Sequence, residues 1–217
     1  MKRAYVSCVG NDVVDLSDPE SDDILQNRKV LLRVLNPEEL AMVENSPDPR
    51  KTYWAIWAAK ESAFKALSSF FRNICFIPKK FRVSQDFSEV RFRTLRLALR
   101  VEKNNSFIHA LCAFRKNELE KISFCVRPKS YLLENFAREA GASPRQSNLV
   151  RILLKKECHK LFHPVDAAQV QLRESDCHRA PQVKIIHATG ETEIPVSLSH
   201  HGEFFATAIL LPSEVIV

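Results

Sequence analysis

Residues 54–65 read WAIWAAKESAFK, and the assignment of this chain turns on them. The stretch is rich in Ala, Lys and Glu, with neither Gly nor Pro between Lys51 and Ile77, and this predicts a long helix. At about 100° per residue, Trp54, Trp57, Ala58, Glu61 and Lys65 share one face, while Ile56, Lys60, Ala63, Phe64 and Leu67 share another. The charges therefore sit among tryptophan and aliphatic side chains instead of on a polar face of their own. A carboxylate and an ammonium in such surroundings need a metal, a phosphate or each other. The plainest alternative is an i,i+4 Glu61–Lys65 pair on a half-exposed helix, worth only a few tenths of a kcal/mol.

Upstream, residues 9–16 read VGNDVVDL, a β-branched run carrying two aspartates. With Ala4-Tyr5-Val6 before it, the run predicts a strand over Tyr5–Val14. Aspartate is depleted in strand interiors, so two of them here want a reason. Alternation places Asp12 and Val14 on one face and Val13 and Asp15 on the other. Asp12 is then the acid that can meet the helix, and Asp with Glu61 supplies the hard oxygens that Mg²⁺ prefers. Downstream, residues 196–211 read VSLSHHGEFFATAILL, with a strand ending at Ser199-His200, a turn at His201 and Gly202, and an apolar strand after it. Such a turn offers donors to an anion. Nothing around it resembles the nucleophile elbow of hydrolases.

Taken together, Gly10-Asn11-Asp12-Val13-Val14-Asp15, Trp57-Ala58-Ala59-Lys60-Glu61-Ser62-Ala63-Phe64-Lys65 and Ser197-Leu198-Ser199-His200 resemble the 4′-phosphopantetheinyl transferase superfamily. A weaker match is His178-Arg179-Ala180-Pro181. The resemblance implies transfer of the phosphopantetheine arm of coenzyme A to a serine of an acyl- or peptidyl-carrier protein, with release of 3′,5′-ADP and dependence on Mg²⁺. It implies that Asp12 and Glu61 hold the metal and that Lys65 neutralises the pyrophosphate, with Lys60 flanking the same site. Ser199, His200 and Arg179 would meet the 3′-phosphate end of coenzyme A, and Lys155 the adenosine phosphates. The serine proton would go to Glu61 or to a metal-bound water. Val14 stands where three-carboxylate members have Glu, so the third metal position would be water. That departure keeps open a coenzyme A-binding homologue without turnover.

The formal charge of +6, from 32 Lys+Arg against 26 Asp+Glu, suits a polyphosphate cofactor and acidic carriers. No nucleic-acid-binding signature accompanies it. The six cysteines (Cys8, Cys75, Cys112, Cys125, Cys158, Cys177) form no CxxC pair and read as reduced thiols. No window approaches a membrane span and no signal peptide opens the chain, so a soluble cytoplasmic protein is expected. No His/Cys spacing suggests zinc.

The break at Gly141-Ala-Ser-Pro144 and the repeated set of elements predict an α+β fold of two similar units, 1–122 and 123–217. The resemblance implies that these pack about a pseudo-twofold axis as the 4′-phosphopantetheinyl transferase fold. The acids would lie in the first unit and the phosphate-binding residues in the second, an exchange of the usual order, with one chain acting as a monomer.

Overall fold

The structure is a computed structural model, described here for residues 7–19, 23–71, 73–140, 145–162, 170–173, 181–187 and 190–212. The chain opens with strand β1 (Val9–Asp15), followed by helices α1 (Arg28–Val34), α2 (Pro37–Glu44) and α3 (Pro49–Ser68). Strands β2 (Phe81–Val83), β3 (Glu89–Phe92), β4 (Leu95–Lys103) and β5 (Phe107–Ala113) complete an antiparallel sheet of order β1-β5-β4-β3-β2. After the short α4 (Lys116–Leu119) come β6 (Ile122–Pro128), α5 (Lys129–Ala140) and α6 (Gln146–Leu161). Strands β7 (Val170–Arg173), β8 (Gln182–His187), β9 (Gly190–His201) and β10 (Phe204–Leu210) form the second antiparallel sheet, of order β6-β10-β9-β8-β7. The strand order of the second sheet repeats that of the first. The fold is α+β.

Local signals explain the helices. Asn36 caps α2 through a capping box with Glu39, and Pro37 opens its first turn. Asp48 accepts from the Lys51 amide at the start of α3. The 20 residues of α3 lie across the first sheet, with Tyr53, Trp54, Ile56, Ala59, Ala63 and Leu67 buried. Phe64 of the helix packs on Phe76 and Phe81, and Phe81 stacks on Phe92 at 4.7 Å. Burial of one such ring contributes about 1.5–3 kcal/mol. Gly10 lets the helix approach, since a Cβ there would lie 1.9 Å from the Ser62 carbonyl oxygen and 2.6 Å from the Ala66 amide.

In the second sheet, α6 buries Leu149, Leu153, Leu154 and Cys158 against one face. The other face meets the first sheet through Val9, Leu111, Ala113, Ile122, Ala208 and Leu210. Two strand expectations are corrected. The strand predicted to end at Ser199-His200 is longer at both ends, running from Gly190 through His201, and the turn falls at Gly202 and Glu203. The first strand, expected over Tyr5–Val14, runs from Val9 to Asp15, with Ser7 and Cys8 outside it and Tyr5 and Val6 outside the described residues. The five described cysteines are free. Among the described residues, no helix is long and apolar enough to cross a membrane.

Candidate active site

Strand β1 is an edge strand, and its edge away from β5 would leave alternate amides unpaired. Side chains of β9 meet them. Asn11 donates to Ser197 Oγ at 2.9 Å, Val13 to Ser199 Oγ at 3.2 Å and Asp15 to His201 Nδ1 at 3.1 Å. Each pair is separated by 186 residues, so the two strands advance together in a fixed register. This side-chain ladder joins the two sheets and brings Asp12 to Ser199.

Asp12 sits on the β1 face that meets α3, as alternation predicts. Its Oδ1 accepts from Lys65 Nζ at 2.8 Å and from Ser199 Oγ at 2.7 Å. Lys65 also donates to Ser199 Oγ at 3.2 Å and lies 3.4 Å from Glu61 Oε1. Trp57 hydrogen-bonds Glu61 from one turn earlier in α3. Two carboxylates thus share one ammonium. Burial works against the charge of Lys65, but Asp12 and Glu61 outweigh it and hold its pKa above the ordinary value. Burial and the neighbouring Asp12 raise the Glu61 pKa, and Lys65 only partly offsets them. The cluster carries one surplus negative charge at a part-buried position.

That surplus is what a divalent cation would relieve, and the donors fit Mg²⁺, which takes one or two carboxylates and completes its shell with water and substrate phosphate. Among the described residues, no group of three or more His, Cys, Asp and Glu side chains could hold a metal. Val14 is buried in the core. Asp15 points to the opposite face, where its carboxylate accepts from the Ser17 amide and hydroxyl and from the Glu203 amide. Burial alone would raise the Asp15 pKa; these hydrogen bonds and His201 bring it below the usual carboxylate value.

Lys60 does not flank this cluster, contrary to the sequence expectation. It is fully buried on the other side of α3, donating to Glu39 Oε2 at 2.6 Å, to the Val34 carbonyl at 2.9 Å and to the Pro78 carbonyl at 3.1 Å. All three of its protons are engaged. Ser199 and His200, expected to act together, face opposite ways. Ser199 is buried in the carboxylate–lysine cluster, whereas His200 is exposed on the α6 side of the sheet, its ring 6.0 Å from Phe205. Partial burial, Lys65 and His201 all lower the His200 pKa. Lys155 is exposed on α6. Arg179 lies outside the described residues. Sequence reasoning missed Ser197 and His201, although the alternation Ser197, Ser199, His201 is the signal of one strand face. It also missed Glu39 as the partner of Lys60, a pairing no local pattern announces.

The family model described as the 4′-phosphopantetheinyl transferase superfamily matches residues 8–124, more than half of the chain. The chain belongs to this superfamily, whose members transfer phosphopantetheine and in general use coenzyme A and Mg²⁺. The match spans Asp12, Glu61 and Lys65 and ends before Ser199. No curated protein matches the chain.

Proposed function

We propose that the chain moves the 4′-phosphopantetheine arm of coenzyme A onto a serine of an acyl- or peptidyl-carrier protein, releasing 3′,5′-ADP. The observation that carries this reading is the meeting of Asp12, Glu61 and Lys65 at a seam between two sheets, in a chain of this superfamily. The serine hydroxyl attacks the β-phosphorus of coenzyme A; the bond from that phosphorus to the bridging oxygen breaks, and 3′,5′-ADP leaves with the electron pair. Glu61, the carboxylate beside Lys65, takes the serine proton. Lys65, held protonated by its two carboxylates, stabilises the charge that develops on the bridging oxygen. Asp12 and Glu61 would hold Mg²⁺, which supplies charge neutralisation at the pyrophosphate. His200 and Lys155, both on the α6 side of the second sheet, take the adenosine-phosphate end, with Arg179 assisting.

The same reading treats residues 1–122 and 123–217 as two like units about a pseudo-twofold axis, supported by the repeated strand order. The site then forms within one chain, and a monomer suffices in a soluble, cytoplasmic setting. The test is incubation with coenzyme A, Mg²⁺ and a panel of apo-carrier proteins, followed by intact mass. One carrier gains the arm, and an EDTA control does not. Coenzyme A binding without transfer to any carrier would instead mark a binding homologue.

A further inference from the structure

The Ser199 hydroxyl has one proton to donate and two lone pairs with which to accept. All three are in use. The proton goes to Asp12 Oδ1 at 2.7 Å, and the lone pairs receive the Val13 amide and Lys65 Nζ, each at 3.2 Å. Ser199 is also 95 % shielded from solvent, at 5 % exposure. A phosphate could recruit this hydroxyl only by stripping a hydrogen bond from a buried carboxylate, a costly exchange. The residue expected to bind a coenzyme A phosphate is therefore fully committed to the acid of the other sheet.

We propose that Ser199 is a positioning residue for Asp12. Together with Lys65 it occupies Oδ1, and among the described residues no hydrogen bond is made to Oδ2. The carboxylate is thereby held through Oδ1, which leaves Oδ2 as the oxygen open to a cation. Because Ser199 is also a rung of the β9 ladder, the orientation of Asp12 is tied to correct docking of the two sheets. Ser197 provides an internal control. It holds the Asn11 amide through the same kind of rung, is likewise buried, and among the described residues hydrogen-bonds neither Asp12 nor Lys65.

The inference rests on the proposal that Asp12 binds the metal, and the experiment separates the two. Free Mn²⁺ is followed by its EPR signal during titration of the full chain with coenzyme A present and no carrier. Ser199→Ala is expected to weaken Mn²⁺ binding about tenfold or more, the usual cost of losing a partner that orients a metal ligand. Ser197→Ala, which loses its own rung of the ladder, keeps the wild-type affinity, and Ser199→Thr, which keeps the hydroxyl, restores binding. Asp12→Asn leaving Mn²⁺ affinity unchanged overturns the metal site itself, and this proposal with it. Asp12→Asn weakening Mn²⁺ binding while Ser199→Ala does not overturns the positioning role alone. So does a Ser199→Ala chain with normal Mn²⁺ affinity that no longer distinguishes coenzyme A from its 3′-dephospho form.

Discussion

Lys60 and Lys65 belong to one motif on one helix, and α3 turns them to opposite ends of protein chemistry. Lys60 has no exposed surface, one carboxylate and two backbone carbonyls; burial outweighs Glu39 and pulls its pKa down. Lys65 keeps 24 % of its side chain exposed and faces two carboxylates that push its pKa up. The first ammonium is a fastener. It ties α3 to the capping box of α2 and, through Glu39, to the β2 edge, because Glu39 Oε1 accepts from the Val83 amide at 2.8 Å. The second ammonium stands in surplus negative charge at the joint of two sheets. A lysine with a closed set of acceptors stabilises a fold; a lysine with unbalanced acids around it leaves room for chemistry.

The comparison breaks most readily at Lys60. Lys60→Met leaves the Glu39 carboxylate buried without its cation, and unfolding in urea should show a loss of about 3–5 kcal/mol. Pairing it with Glu39→Gln should recover part of that loss. No destabilisation would make Lys60 a spectator.

A buried histidine carries the same logic into stability against pH. His109 lies fully buried beside Phe124, neither ring nitrogen with a hydrogen-bond partner among the described residues, and burial, with Arg100 and Lys65 adding, pushes its pKa down to about 3. It stays neutral in the folded chain but takes a proton in the unfolded chain below its ordinary value of 6.5. Its contribution is therefore complete above pH 6.5 and is lost as pH falls toward 3, at a rate approaching 1.4 kcal/mol per pH unit, to order of magnitude. Unfolding at stepped pH should show this slope, and His109→Phe should reduce it by one proton's worth.

Two smaller effects concern the site. In the metal-free chain burial and Asp12 hold the Glu61 pKa above its ordinary 4.5, so carboxyl NMR without Mg²⁺ should show Glu61 titrating above that value and added Mg²⁺ should move it down, whereas raised Lys65 does not titrate near neutrality. A metal-free Glu61 titrating at or below the ordinary glutamate value, or one that Mg²⁺ leaves unmoved, would remove it from the metal site. Finally, 3′-dephospho-coenzyme A should be about tenfold poorer than coenzyme A, the worth of one charge-assisted contact, and His200→Ala should narrow the gap. Equal use of both by the wild type would move the phosphate site away from His200.

Much of this was legible in the sequence because it is local. The Asn36 cap, the two faces of α3 and the direction of Asp12 follow from spacing alone. Helical periodicity sets Lys60 on a different face from Glu61 and Lys65, as the structure does; the motif resemblance drew it to the site instead, and its partner Glu39, 21 residues away, lies outside any helical window. Ser199 and His200 were grouped as neighbours in a motif, yet period-2 alternation sends them to opposite sides of β9. The ladder that pins β1 to β9 spans 186 residues, a register set by inter-sheet packing and invisible to any window of sequence. The start of β9 was missed because Gly190-Glu-Thr-Glu is polar enough to read as loop.

The most direct measurement is single-turnover transfer from coenzyme A to an apo-carrier by Lys65→Met and Lys60→Met, side by side, at a temperature where circular dichroism shows both folded. Lys65→Met should melt earlier than the wild type, because Asp12 and Glu61 lose their shared cation, but where it is folded it should lose transfer by at least about 10²–10³-fold, the usual cost of removing an electrostatic stabiliser. Lys60→Met should melt earlier yet transfer the arm with an unchanged KM for coenzyme A. An active Lys65→Met chain, or a folded Lys60→Met chain without activity, would contradict this division of the two lysines.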